Sequence, residues 1–246
     1  MKLLDAGELL NAWEAGLNQP LLQKALILLA AASPGTGSES LARMAVGRRD
    51  QCLLELREGL FGPRLENVAV CPECGERVEW ENHTAEFLAP QAECEAARDE
   101  FELQTGGFAL RFRLPNSLDI DAVVDHAASG DAERLLLSRC VLEARQADSP
   151  CGFDSLPDAV LHELSEQLET LDPLADLRIG LHCPVCSHDW VVVFDIASFL
   201  WKEIDDWAGR MLRDVSELAA AYGWSEAEIL DISPVRRQLY LGMLAR

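Results

Sequence analysis

No stretch of this 246-residue chain stays apolar for the roughly 18–20 residues that a membrane span needs. The longest candidate, "ALILLAAA" from Ala25, resembles a signal-peptide core, but Asp5, Glu8 and Glu14 stand where positive charge should precede it. A core helix is the better reading. Basic residues are scarce: 21 Lys and Arg face 42 Asp and Glu, a formal charge of −21. The first 70 residues are nearly neutral, with 8 acids and 7 bases, so the excess lies beyond them. Nucleic-acid affinity comes mainly from Lys and Arg that neutralise phosphates, and a body this acidic argues against such a partner. The acidity reads first as a solubilising surface and second as a face for a basic partner. Catalytic signatures are also missing. "GTGSES" lacks the third glycine and preceding strand of a dinucleotide fingerprint, and "HELSE" at His162 is not HExxH because Glu166 is its fifth residue. The expectation is a soluble, cytoplasmic, non-enzymatic protein with no membrane partner and no evident small-molecule substrate.

What the chain does contain is a repeated cysteine pattern. Of its eight cysteines, four lie in "CPECGERVEW" from Cys71 and "CPVCSHDWVV" from Cys183. With no signal sequence and a chain this long, the disulfide framework of a small secreted domain does not apply. Cys52, Cys94, Cys140 and Cys151 have no partner pattern, and Cys52 and Cys140 sit in helical apolar stretches as core residues. Aligned at their first cysteines, the two copies also share Ala85/Ala197, Phe87/Phe199 and Leu88/Leu200. Each therefore predicts a strand, a CPxC turn, a second strand and the start of a helix. Two residues between cysteines aim both sulfurs at one point about 2.3 Å away, and a structural zinc takes four such ligands in a tetrahedron. Cys71, Cys74, Cys183 and Cys186 together predict one structural zinc in a split ribbon. A shell of four sulfurs has no open position for substrate. Redox chemistry is the rival, but redox CPxC motifs precede a helix, whereas "RVEWE" and "DWVVVFD" follow these as strands. His83, His182 and His188 read as exposed residues or as neighbours that support the sulfurs.

Helical spacing predicts helices over 5–16 and 19–32, a loop at "SPGTGSES" (33–40), and a helix from Gly47 to about Gly59. "FELQT" and "FALRFRL", joined by Gly106-Gly107, predict a hairpin. Ser117 and Asp131 are candidate caps for "LDIDAVVDHA" and "AERLLLSRCVLEA", and 156–171 predicts an amphipathic helix. A long stripe, Ile196, Phe199, Leu200, Ile204, Trp207, Met211, Val215, Leu218 and Tyr222, predicts a C-terminal helix closed by Gly223. Ser225 with Glu228 forms a capping box, and Ser233-Pro234 starts a last helix. The fold class is α+β, expected as one composite domain over 1–246. Its parts are a helical region (1–65), ribbon halves (66–88 and 176–200), an insertion (89–175) and C-terminal helices (196–246).

"GRRDQCLLELREGLFGPRLENVAVCPECGERVE", "FRLPNSLDIDAV", "LLLSRC" and "AAAYGWSEAEILDISPVRRQLYL" resemble a family encoded with contractile injection systems. That family is similar to the T-even-type phage baseplate hub assembly chaperones, also called phage baseplate proteins. The resemblance implies a helper in building the hub or spike of a phage-tail-like particle, with baseplate proteins as partners. It implies no catalytic residues. A permanent baseplate subunit and a zinc-ribbon regulator of nucleic acid or the transcription machinery are the alternatives. The candidate contact segment is Tyr222 to Tyr240. Tyr222, Trp224 and Tyr240 would anchor a partner and Arg236 and Arg237 would form the rim; the plainer alternative is that the aromatics pack the terminal helices.

Overall fold

The computed structural model describes residues 1–88, 99–124, 131–147 and 149–244. They form the expected mixed helix-and-sheet fold with a long C-terminal helix. Cys94 and the end of the helix predicted from Ser117 lie outside the described residues. The chain divides into two compact units, Met1–Thr36 with Ile196–Arg246, and Gly37–Asp195.

The first unit opens with α1 (Ala6–Gly16) and α2 (Leu21–Ala32). Asp5 caps α1 by accepting from the Glu8 N–H, and Glu8 returns the bond to the Asp5 N–H. The second unit begins with α3 (Ser38–Ala42), a short helix that corrects the loop expected through residue 40. Burial of Leu41 and Ala42 and a Glu39–Arg43 pair one turn apart hold it helical. In α4 (Val46–Phe61), Cys52, Leu53, Leu54 and Leu56 are buried. The Gly47 N–H donates to Asp172 Oδ2 at 3.0 Å, an approach so close that a Cβ on residue 47 would lie 1.8 Å from Asp172 Oδ1. Only glycine allows this helix to meet that carboxylate.

Next come the antiparallel pair β1 (Arg64–Val70) and β2 (Arg77–His83), then α5 (Thr84–Leu88). The predicted hairpin is β3 (Phe101–Thr105) with β4 (Phe108–Phe112). Its turn needs two left-handed residues, supplied by Gly106 and Gly107 with φ of +57° and +80°. In α6 (Ser117–Val124) the cap is Asn116 rather than the expected Ser117. Asn116 Oδ1 accepts from the N–H groups of Leu118 and Asp119 at 2.9 and 3.2 Å, while Ser117 is fully buried.

The stretch expected as one helix over "AERLLLSRCVLEA" is α7 (Ala132–Cys140) running directly into β5 (Val141–Gln146). Its other expected feature also differs, since the Asp131 side chain makes no capping bond. Pairing decides the switch to strand. Leu110 lies opposite Ala144 and Phe112 opposite Val141, so Ala144 is buried with Phe108, Leu110 and Phe112. With β6 (Ser149–Pro150) the sheet order is β3-β4-β5-β6. Against it, α8 (Asp158–Leu171) lays Val160, Leu161, Leu164 and Leu168, and this is the main core of the second unit. The antiparallel pair β7 (Arg178–His182) and β8 (Asp189–Val193) completes the unit.

One buried carboxylate joins three pieces of this unit. Asp119 is 1% exposed, accepts from Arg113 Nη1 and Nη2 at 2.6 and 3.0 Å, and accepts from Arg139 Nε at 2.9 Å. A fourth bond, from the Asn116 N–H at 3.0 Å, completes the cap of α6. The arginines come from the end of β4 and the end of α7, so the site ties sheet to both helices.

The chain returns to the first unit with α9 (Ile196–Tyr222), at the residues the stripe predicts. Ile196, Leu200, Ile204, Met211, Val215 and Leu218 are buried along it, and Trp201 joins them although the stripe omits it. Trp201 packs so closely on Gly16 that a Cβ there would stand 2.3 Å from its ring. Gly223, at φ +70°, ends α9. The Ser225/Glu228 capping box opens α10 (Glu226–Asp231), and α11 (Pro234–Leu244) follows. Among the described residues, no helix is long and apolar enough to cross a membrane.

Candidate functional site

Both cysteine turns are built by the same hydrogen bonds. The Cys71 N–H donates to the Glu76 carbonyl at 2.8 Å, and the Gly75 N–H donates to the Cys71 carbonyl at 3.0 Å. In the second copy, Cys183 donates to His188 at 2.9 Å and Ser187 to Cys183 at 2.9 Å. Every residue of one set stands 112 positions after its counterpart, and so does Ile196, which starts α9, after Thr84, which starts α5. Each turn needs one left-handed residue: Gly75 at φ +77° and Ser187 at φ +60°. A side chain in that conformation costs about 1–2 kcal/mol, of which glycine's extra freedom in the unfolded chain returns about 0.5–1. Ser187→Gly is therefore expected to raise stability by about 0.5–1 kcal/mol and Gly75→Ser to lower it. Urea melts of the two variants check the pair, and a destabilised Ser187→Gly would show that the hydroxyl is needed there.

The two turns bring four sulfurs together. Cys71 Sγ lies 3.6 Å from Cys186 Sγ, and Cys74 Sγ lies 3.6 Å from Cys183 Sγ. All four sulfurs fall within 4.8 Å of one another. The first cysteine of each turn meets the second of the other, as two copies facing across a two-fold axis must. A disulfide requires about 2.05 Å between sulfurs. A metal with four sulfurs at about 2.3 Å places them about 3.8 Å apart on the edges of its tetrahedron. The observed spacing fits the metal. Cys71 and Cys183 are buried, and Cys74 and Cys186 are exposed.

The charges on these thiols conflict. The Cys186 backbone N–H points at the Cys183 sulfur, joined by that of Val185 and by the Cys186 and Cys74 thiols, and the Cys183 thiol is lowered to about 6. The His188 N–H favours a thiolate at Cys186, but local loss of water and the crowding thiols of Cys74, Cys183 and Cys71 push it up to about 12. Cys74 is raised too, despite the Glu76 N–H that favours its thiolate. One negative charge is welcomed and further ones are resisted. A soft divalent cation removes the conflict, and a set of four thiolates can hold one. Among the described residues the histidines stand apart from this cluster. His182 Nδ1 meets Asp189 Oδ1 at 2.8 Å, His188 stacks on Trp190, and His83 lies by Glu81 and Glu86.

The aromatic residues near the C-terminus pack on one another. Tyr222 and Trp224 stack at 4.7 Å between ring centres, and Tyr240 meets Trp224 edge-on at 4.9 Å. Trp224 and Tyr240 cover Val215, Leu218 and Ile229 in the core of the first unit. Arg236 is exposed, whereas Arg237 is 4% exposed and lies inside the packing rather than on a rim. A surface that the sequence reading misses is the outer face of α11, where Val235, Leu239 and Met243 are 72, 61 and 62% exposed. Their four-residue spacing was visible in "VRRQLYLGM", but Leu241 and Tyr240 offered a rival apolar face, and that is the one that packs.

Residues 9–201 match the family model described as T4 bacteriophage base plate protein. The chain belongs to this family. No curated protein and no solved structure shows a significant match. The matched span holds both cysteine turns and the whole sheet, whereas α10 and α11 lie beyond it. Membership supports a role in a phage baseplate, with other baseplate proteins as partners.

Proposed function

We propose that the protein is a non-enzymatic assembly chaperone or adaptor for the baseplate hub of a contractile, phage-tail-like injection system. The family match over residues 9–201 carries this reading. In it, a structural zinc held by Cys71, Cys74, Cys183 and Cys186 shapes the body, and the hub protein docks on the C-terminal helices. Structural zinc fits the site because four thiolates close its shell and leave no place for a substrate. Docking at α11 draws on its exposed apolar stripe and on Arg236 beside it, since apolar contact area ringed by arginine is typical of interfaces. A permanent baseplate subunit is the second reading, favoured by the family description itself.

Particle assembly in cells tests both. Val235→Glu with Leu239→Glu changes only exposed side chains, so metal content and melting should hold while particle yield falls at least tenfold. Normal yield would remove α11 from the docking surface. Purified mature particles then separate the readings: a chaperone is absent from them, and a structural subunit is present in fixed ratio to the hub.

A further inference from the structure

The first unit contains a cavity of about 440 Å³ between α9 and α11, lined by Trp207, Met211, Pro234 and Gln238, by Arg210, Arg213 and Arg237, and by Asp214 and Glu217. Three arginines with two acids make it one charge positive on a chain of net charge −21. Arg210 and Arg213 stand on the exposed face of α9, and Arg237 is 4% exposed. The Arg237 Nη1 reaches the Ile229 carbonyl only at 3.5 Å, and its Nε–H is buried with no acceptor among the described residues. Buried N–H groups of a charged side chain are normally met, and an unmet one marks a place for an incoming acceptor. Trp207, Met211 and Pro234 make an apolar part of the wall, and Gln238 also lines it and donates to Asp214 Oδ2 at 3.3 Å.

We infer that this cavity receives a carboxylate side chain, flanked by apolar residues, from a baseplate partner protein. The inference rests on the reading above that a baseplate partner docks at the C-terminal helices, and places a second contact on the α9 side of α11, apart from Val235, Leu239 and Met243. The planar guanidinium fork matches a carboxylate with paired bonds, and the apolar wall takes the neighbouring aliphatic side chain. On an acidic protein, a pocket of net positive charge also selects which face of a partner can approach.

The test uses the full chain and two peptides, acetyl-Leu-Glu-Glu-Leu-amide and its analogue with glutamine in place of both glutamates. Binding is read by calorimetry and by the Nε–H resonance of Arg237, assigned by its loss in Arg237→Lys. The glutamate peptide should shift that resonance and bind at least tenfold more tightly than the glutamine peptide. Arg210→Gln with Arg213→Gln, both exposed, should keep the melting profile and weaken the glutamate peptide at least tenfold. Equal binding of the two peptides, or of the glutamate peptide to the double variant, overturns the inference. Inorganic phosphate that displaces the resonance at lower concentration than the peptide also overturns it, in favour of a phosphate ligand. Peptide binding by a protein whose double variant still builds particles at normal yield would leave the pocket standing and refute its part in assembly. Loss of yield without peptide binding overturns the inference and leaves the arginines with another role in assembly.

Discussion

Replacing Cys183 by serine should abolish cooperative melting of the Gly37–Asp195 unit and release its metal. Cys183 is fully buried, and its sulfur meets Cys74 across the two turns. Holding the turns together closes a loop of more than a hundred residues, and a cross-link over about 100 residues is worth about 4.7 kcal/mol in chain entropy. A structural zinc site contributes about 10–16 kcal/mol of apparent binding energy at neutral pH. Whole domains are stable by only about 5–15 kcal/mol, so one lost ligand removes an amount comparable with the total. Cys52→Ser is the control: that thiol is buried in α4, outside the cluster, and its loss should leave the metal bound. Calorimetry and elemental analysis of freshly purified, reduced protein decide the matter. One zinc per chain in the native protein and none in Cys183→Ser is expected; a metal-free native protein with the same melting profile would refute the zinc site.

Asp119→Asn should cost about 3 kcal/mol at pH 7, the low end for breaking a buried pair, because Arg113 and Arg139 keep some contact with solvent. The penalty should also depend on pH. Burial alone would push the Asp119 carboxyl up, but the hydrogen bonds from Arg113, Asn116 and Arg139 outweigh it and hold the group below its ordinary 3.8. A carboxyl lowered by folding stabilises the fold fully above its unfolded value, and that stabilisation is lost as pH falls through the folded value. The gap between native and variant should therefore be constant from about pH 5 to 7 and narrow below about pH 4. Asp50 and Asp172 run the other way, since burial raises both despite Arg49 and the Gly47 N–H. They are present in both proteins and cancel in the difference. Urea melts at pH 7, 5 and 3 measure the gap; one that stays the same at pH 3 would show that Asp119 does not act through its charge.

The parts of this fold that can be read from sequence are those whose signal is local. The α9 stripe repeats over seven turns, the Ser225/Glu228 box sits in four residues, and the Gly106-Gly107 turn needs two. The convergence of Cys71 and Cys74 with Cys183 and Cys186 is a distant contact, yet it is legible because each half carries the same turn chemistry. What escapes sequence reading is decided by partners far along the chain. "VLEA" has good helix formers and becomes a strand only because β4 stands beside it. Arg237 looks like a surface residue next to Arg236, but the packing of α11 on α9 turns it inward. Ser117 and Asn116 are both good caps in isolation, and the bridge from Asn116 to Ala45 favours the second.

The distance between the cysteine turns sets an order of events during synthesis. A ribosome adds about 5–20 residues per second, so the second turn emerges about 6–22 s after the first. In that interval Cys71 and Cys74 form only half of the coordination shell, and the nascent chain holds neither a finished site nor the loop it closes. Capture of a metal by this cluster would thus wait until the sheet and α8 have already been made. A bound ion would then act as a check on completeness: a chain truncated anywhere before Cys186 would lack the fourth sulfur and could be told apart by that alone.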